Sequence, residues 1–337
     1  MMKFIKFSKS YDGLMEIKKS FFQENKLNLK NSLKINSKYK KQPKRTKCKN
    51  CKRALGKKIF SQFKIDYTVC KFCGHLNGIF EDTEDFVNWL YSRNEGKNYK
   101  KNYLKDFEKR VTTIYEPKVD FLKNVIKKKK NILDIGSGAG HFLKALENKN
   151  INGMGYEPNK DLVKLGNEKL NTNKIEHSSL NATYEVVRNS KKFNVLSMIG
   201  VLEHLRKPNE MISQFNNSRI EFLYVSVPLF SLSAHFENSF SGVFPRQLGG
   251  GHTHLYTKSS LEHLAKSNNL EIIGEWWFGT DFPDLFRCLI NSSKNYNNKL
   301  YTGLLNKNLY SVINELQEVL DKNQICSEVH MIFKKNK

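Results

Sequence analysis

The chain lacks any apolar run near the roughly 18 residues needed to cross a bilayer, so no transmembrane helix is expected. Its opening stretch, MMKFIKFSKSYDG, mixes basic and aromatic residues without the continuous apolar core or small-residue cleavage site of a secretory signal. A disulfide framework is missing too. Of six cysteines, four fall in two C-x-x-C pairs, while Cys288 and Cys326 stand alone far downstream; a reducing, cytoplasmic setting is the expectation. Acidic residues are scarce in the first third: residues 1–130 hold 34 Lys and Arg against 13 Asp and Glu, a net +21 out of the chain's +24. Such an excess suits phosphate-bearing partners, nucleic acid included. Lysine heavily outnumbers arginine, however, and arginine is the residue favoured for bidentate phosphate and base contacts. The lysines are therefore expected mainly on solvated faces, and an anionic sugar nucleotide or polysaccharide would also suit them.

What is present begins with the cysteines. Cys48 and Cys51 form one C-x-x-C, eighteen residues intervene, and Cys70 and Cys73 form the second. Two knuckles of this kind bring four thiolates to one ion and leave no open coordination position, so the expected zinc is structural. Gly74 suits the positive-φ position such knuckles need. His75 is read as a neighbour of the site.

The stretch NILDIGSGAGHF, residues 131–142, carries the strongest signal. An apolar strand delivers Asp134 and breaks at once into Gly136, Ser137, Gly138 and Gly140 before a helical pattern starts. Glycines at that point let the backbone turn tightly and approach a ligand at a helix N-terminus. Seventeen residues past Gly140, a second apolar run ends in Glu157 and Pro158; an acid after the next strand is the usual ribose-hydroxyl acceptor on an α/β sheet. Further strands are expected at KIEHSSL, FNVLSMI, EFLYVSVPLF, EIIGEWWFG and SEVHMIFKK, with two helices between the last two. GVLEHLRKP is expected to open a helix bounded by Pro208, and Ser259 with Glu262 to form a capping box. Residues 231–251 read as a long aromatic loop bearing Arg246, a lid or binding element.

The acid inside the strand end, in D-x-G-x-G-x-G rather than G-x-G-x-x-G, makes this stretch resemble motif I of the class I S-adenosylmethionine-dependent methyltransferases. The later segments LEHL and GHTHLYTKSSLEHL resemble those of a methyltransferase group that includes sugar-modifying enzymes, and the pairing with a C-x-x-C module occurs among nucleotide-sugar methyltransferases. The resemblance covers about residues 45–337. It implies an α/β fold: a Rossmann-like seven-stranded sheet with helices on both faces, a small N-terminal zinc ribbon, and a helical insertion before the last strand. The implied division is a basic lead-in (1–45), a zinc-binding module (46–80), a helical linker roofing the cofactor (81–130) and the methyltransferase domain (131–337).

For the cofactor, S-adenosylmethionine, the resemblance implies Asp134, Gly136, Ser137, Gly138, Gly140, Glu157, Pro158, Ile199 and Glu203, with Tyr103 and Arg110 as candidates from the preceding helices and Tyr99 beside them. Trp276, Trp277, Phe278 and Asp281 fall at the sixth strand's end of the cleft, or in the core. The base that deprotonates an oxygen acceptor is expected among His252, His254 and His204, with His235 a further candidate. No ligand set for a catalytic metal is apparent. The [DNS]-P-P-[YF] turn of enzymes acting on exocyclic amines of bases is missing from SMIGVLEH. The acceptor expected is thus a small molecule or glycan, with an anionic nucleotide sugar among the candidates; the alternatives are RNA held by the basic third, and a non-catalytic zinc-ribbon scaffold.

Overall fold

A computed structural model describes residues 3–11, 17, 24–92, 106–249, 251–293 and 299–336. Its larger sheet is centred on short, almost wholly apolar and buried runs such as Val195–Ile199 and Phe222–Pro228, as strands covered on both faces must be, while its outer strands carry polar residues. Strand β1 is Phe4–Phe7, and β5 (Asn131–Ile135), β6 (Asn152–Glu157), β7 (Ile175–His177), β8 (Val195–Ile199) and β9 (Phe222–Pro228) follow further along the chain. With β11 (Leu270–Phe278) and β12 (Glu328–Lys335) they assemble in the order β1-β11-β12-β9-β8-β5-β6-β7. All neighbours are parallel except β12, which runs antiparallel to both β11 and β9. The strand order reverses between β5 and β8, which opens a crevice at their carboxyl ends.

Among the described residues eight strands stand in this sheet where seven are expected, because the lead-in supplies one. β1 adds in parallel to β11, pairing Phe4 with Gly274 and Phe7 with Trp277. Lys3 meets the buried Glu275 at 2.5 Å, Lys6 lies 3.9 Å from the Trp276 ring centre, and Trp276 Nε1 donates to the Ser8 carbonyl at 2.9 Å. The apolar surface of β11 and its open edge outweigh the polar composition of the lead-in. Removing residues 1–8 is expected to cost about 2 kcal/mol, by stranding Glu275 and uncovering an edge. A lower urea midpoint and a tendency to aggregate would register it; an unchanged midpoint would show that the edge needs no cover.

Trp276 and Trp277 are both wholly buried, one in the apolar layer with Phe121, Val125 and Phe142, the other in the layer with Leu261, Leu264 and Met331. Alternation along a strand sends adjacent side chains to opposite faces, so these tryptophans are core. Asp281 is a buried hub that accepts hydrogen bonds from Ser231 Oγ, Ser233 N and Oγ, Gln317 Nε2 and Ser327 N.

The second sheet is built by β2 (Phe60–Gln62), β3 (Ile65–Val69), β4 (Leu76–Gly78) and, from far along the chain, β10 (His254–Leu255), in the order β10-β4-β3-β2. Helix α1 (Asn25–Tyr39) and helix α2 (Glu84–Ser92) share its core through Ile35, Tyr39, Phe86 and Leu90, as do Ala234, Leu248 and Leu255. Packing therefore runs across the expected boundaries at residues 45 and 80. The loop expected at 231–251 contains a helix, Leu232–Ser239. It is clamped to Asp281–Ser293 by Arg287, which meets Glu237 at 2.9 Å and Asp284 at 3.3 Å, and by Arg246 on Asp284 at 2.7 Å. Among the described residues, three helices stand between β11 and β12, Asp281–Ser293, Lys299–Tyr310 and Ile313–Lys322, where two are expected; a turn at Ser311 and Val312 divides the second.

Candidate active site

Three glycines follow β5 with left-handed backbone: Gly136 at φ 72°, Gly138 at 56° and Gly140 at 80°. Their reasons differ. A Cβ on Gly136 would stand 2.5 Å from Val201 Cγ2, and one on Gly140 2.9 Å from Ile175 Cδ1, so both are required by packing. A Cβ on Gly138 would meet nothing within 4 Å. That is the point where the turn faces open space, directly before the helix His141–Asn148.

The carboxylates gather around this turn. Glu157 ends β6 and accepts from Gly138 N at 2.9 Å and Asn159 N at 3.0 Å. Burial pushes its carboxyl up, against those two bonds. Asp134 accepts from Ser197 Oγ at 2.6 Å; burial and then the charge of Glu157 push it up to about 7, opposed by Ser197 and Lys118. Ser137 Oγ is buried without a hydrogen-bond partner, and a Cβ on Gly155 would stand 2.6 Å from it. His177 Nε2 donates to the Pro158 carbonyl at 3.1 Å.

The opposite wall follows β8. Ile199 is half-buried at the strand's last position and Gly200 turns at φ 68°. Glu203 and His204 lie in a short 3-10 turn, Leu202–His204, and the α-helix begins only at Pro208. Proline thus opens the helix and does not bound it, as its fixed φ and missing N–H favour the first turn. Burial pushes Glu203 up to about 8. His252 comes from the loop ahead of β10; its ring lies 4.9 Å from that of His204, and its Nδ1 donates to the Gln247 carbonyl at 2.9 Å. Desolvation first, then Arg246, lowers His252 to about 4, and desolvation with the charges of His252 and Lys49 lowers His204 to about 3. Both imidazoles are neutral at physiological pH.

The other expected residues are dispersed. His254 is fully buried on β10, with Nδ1 2.9 Å from His75 Nε2, so it ties β10 to the thiolate module within the small sheet and stands apart from the His204–His252 pair. His235 packs against Phe230, ring centres 5.2 Å apart. Arg110 is half-buried at the end of the short helix Phe107–Arg110. Tyr99 and Tyr103 lie outside the described residues. The capping box belongs to Thr257 and Ser260 instead of Ser259 and Glu262: Ser259 Oγ is spent on the Cys73 carbonyl at 3.2 Å.

Sequence reasoning passes over three residues here. Ser197 holds Asp134. His141, first in its helix, is stacked by Phe107 and Tyr115 at 4.3 and 5.2 Å. Lys118 is buried in the field of Glu328, Asp134 and Glu203, and burial lowers its pKa. The only available signal is Lys118's position on an otherwise apolar helix stripe beside Val119, Phe121 and Leu122.

The four cysteines do converge. Cys48 and Cys73 sulfurs are 3.7 Å apart, Cys51 and Cys70 3.5 Å, and all four lie within 4.8 Å of one another. A tetrahedral ion with arms of about 2.3 Å has edges of about 3.8 Å, so the donor set fits zinc. Asn77 Nδ2 donates to Cys48 Sγ at 3.5 Å and Asn50 Nδ2 to Cys73 Sγ at 3.7 Å, as suits thiolates. Gly74, at φ 74°, has its Cβ position 2.3 Å from Ser259 Oγ, so the knuckle is pressed onto the segment that follows β10.

The methyltransferase-domain family profile matches residues 107–275, half of the chain. No curated protein matches. Among solved structures, an S-adenosylmethionine-dependent methyltransferase from Archaeoglobus fulgidus is similar at 18% identity, over 69% of this chain and 100% of that one, with a TM-score of 0.43. Magnesium protoporphyrin IX methyltransferase from Synechocystis PCC 6803, with bound S-adenosylhomocysteine, is similar at 11% identity over 76% and 96%, with a TM-score of 0.43. The chain belongs to the methyltransferase-domain family and is an S-adenosylmethionine-dependent methyltransferase.

Proposed function

We propose that this enzyme methylates a hydroxyl of a sugar or sugar-like acceptor, such as a nucleotide sugar or a polysaccharide precursor. The observation that carries the reading is the pair of neutral imidazoles, His204 and His252, set beside Glu203 on the wall that follows β8. An oxygen acceptor has to lose its proton as it attacks, and an unprotonated imidazole nitrogen can accept it, although the desolvation that keeps both rings neutral also makes them weaker bases than a free histidine. The resemblance of LEHL and GHTHLYT to sugar-modifying methyltransferases supports the acceptor class.

On this reading Gly136 to Gly140, Asp134, Glu157 and Pro158 hold the cofactor, with Ile199 and Glu203 across from them. The fit rests on the open space at Gly138, the partnerless Ser137 Oγ and the desolvated carboxylates, which together suit a ligand bringing hydroxyl donors and positive charge. When bound, S-adenosylmethionine supplies an electrophilic methyl group. The chain's part is to orient donor and acceptor in line, exclude water and take the proton. The thiolate module takes structural zinc and braces the His252 segment through β4 and β10.

Ionised Asp134 suits such a ligand and its protonated form does not. Because Asp134 is raised to about 7 in the free protein, lowering the pH through 7 protonates it and weakens binding. Calorimetry is expected to show S-adenosylmethionine binding about tenfold weaker at pH 6 than at pH 8; a flat profile would remove Asp134 from the site. The acceptor is tested with labelled S-adenosylmethionine against nucleotide sugars, glycans and RNA. Label in a sugar hydroxyl is expected, and label only in RNA would overturn the proposal.

A further inference from the structure

Three ligand-type side chains, two adjacent in sequence and one 48 positions later, meet at one point on the acceptor wall. Glu203, His204 and His252 each offer one atom, and these atoms lie within 4.8 Å of one another. His204 Nε2 is 3.8 Å from Glu203 Oε1. The Nδ1 of His252 is committed to the Gln247 carbonyl at 2.9 Å, which places the lone pair on Nε2. A backbone carbonyl that fixes the tautomer in this way is the usual outer partner of a metal-bound imidazole. The segment carrying His252 lies close against its partner: a Cβ on Gly251 would stand 3.6 Å from His204 Cε1.

The second observation concerns Glu203. Its side chain is 4% exposed, and Oε2 has no hydrogen-bond partner. Among the described residues no lysine or arginine forms an ion pair with it. A buried carboxylate oxygen left this way is costly unless a cation or donor completes it.

From this geometry, and resting on the hydroxyl-acceptor reading above, we infer that Glu203, His204 and His252 bind a divalent transition-metal ion with coordination positions open to the acceptor oxygen. Two imidazole nitrogens and one carboxylate suit zinc, iron, cobalt or manganese, whereas magnesium and calcium favour all-oxygen sets. Metal–ligand arms of about 2.0–2.2 Å ask the three atoms to close by about an ångström, within reach of side-chain rotation. The ion acts as a Lewis acid. The acceptor hydroxyl binds it and releases its proton to solvent; its oxygen then forms the bond to the methyl carbon as the carbon–sulfur bond breaks, with both electrons remaining on sulfur. Here His204 and His252 act as ligands in place of the base role given to them above, because the ion makes the hydroxyl acidic enough to lose its proton to solvent.

The test uses the full chain carrying zinc in its thiolate module, dialysed against cobalt(II) without cofactor or acceptor. Wild type is expected to take up one cobalt per chain while keeping its zinc, with visible bands that lack sulfur-to-cobalt charge transfer. His252→Phe is expected to bind cobalt at least tenfold more weakly. His252→Cys is expected to retain it and to add the charge-transfer band, which reports a direct ligand even if the phenylalanine variant folds poorly. Wild type that takes up no cobalt beyond the thiolate site, or uptake unchanged in His252→Phe, overturns the inference. Uptake is read without turnover, so a wrong acceptor class leaves it standing. Methyl transfer to a sugar by a protein that binds no cobalt would sink the metal site and leave His252 as the base.

Discussion

Replacing Gly138 with arginine is expected to weaken S-adenosylmethionine binding by at least about 100-fold, about 2.7 kcal/mol, while the protein stays folded. The two flanking glycines cannot serve this experiment, because side chains there would strike Val201 or Ile175 and disturb the core. Gly138 faces open space, so a side chain fits without collision and projects where the proposed ligand lies. Its left-handed φ of 56° costs a non-glycine residue about 1–2 kcal/mol, a loss of only a few degrees in melting temperature for a chain of this size. The Gly138 amide still donates to Glu157 in the variant, which isolates the steric effect. Calorimetry and a thermal melt together check it. Wild-type affinity in the folded variant would show that the cofactor does not use this turn.

Cys70→Ser is expected to have the other large effect, at a distance from the cleft. Bound zinc, measured by mass spectrometry, should fall from one per chain to none, and stability should drop by about 4 kcal/mol or more. Turnover should fall as well, because the thiolate module supports the segment that presents His252. Three connections carry that support. β4 pairs with β10, the Gly78 amide donates to the Thr253 carbonyl at 2.8 Å, and Asn50 Nδ2 donates to the Ser260 carbonyl at 2.9 Å. Asn209 Nδ2 in turn donates to the Asn50 carbonyl at 2.7 Å, tying in the helix after Glu203 and His204. A variant that keeps its zinc and its melting temperature would remove the ion from the account; one that loses zinc yet turns over normally would remove the coupling.

The glycine turn, Glu157 and the thiolate spacing are legible along the chain because each expresses a local demand: positive φ, close backbone approach, or two ligands on one knuckle. Elements whose form depends on competition read less well. Ser259 has the right spacing for a cap, but its hydroxyl is claimed by the Cys73 carbonyl, and Thr257 caps the helix. LEHL has helical periodicity, but Gly200 ahead of it and Pro208 after it confine it to one tight turn. His252 and His254 look alike in GHTHLYT. Strand alternation leaves His254 buried against His75, and the loop leaves His252 beside His204.

The sequence by itself determined the β-glycine turn-α unit at residues 131–148, the run of apolar strands after it and the presence of four convergent thiols, since neighbouring residues dictate dihedral and periodic constraints. Only the tertiary structure decided that residues 4–7 close the sheet, that the thiolate module takes a strand from residues 254–255, and that Glu203 and His204 meet His252. Those outcomes depend on which distant segment best covers an apolar edge or completes a buried polar group. No local pattern encodes that choice, because the free energy that decides it comes from contacts between residues far apart along the chain.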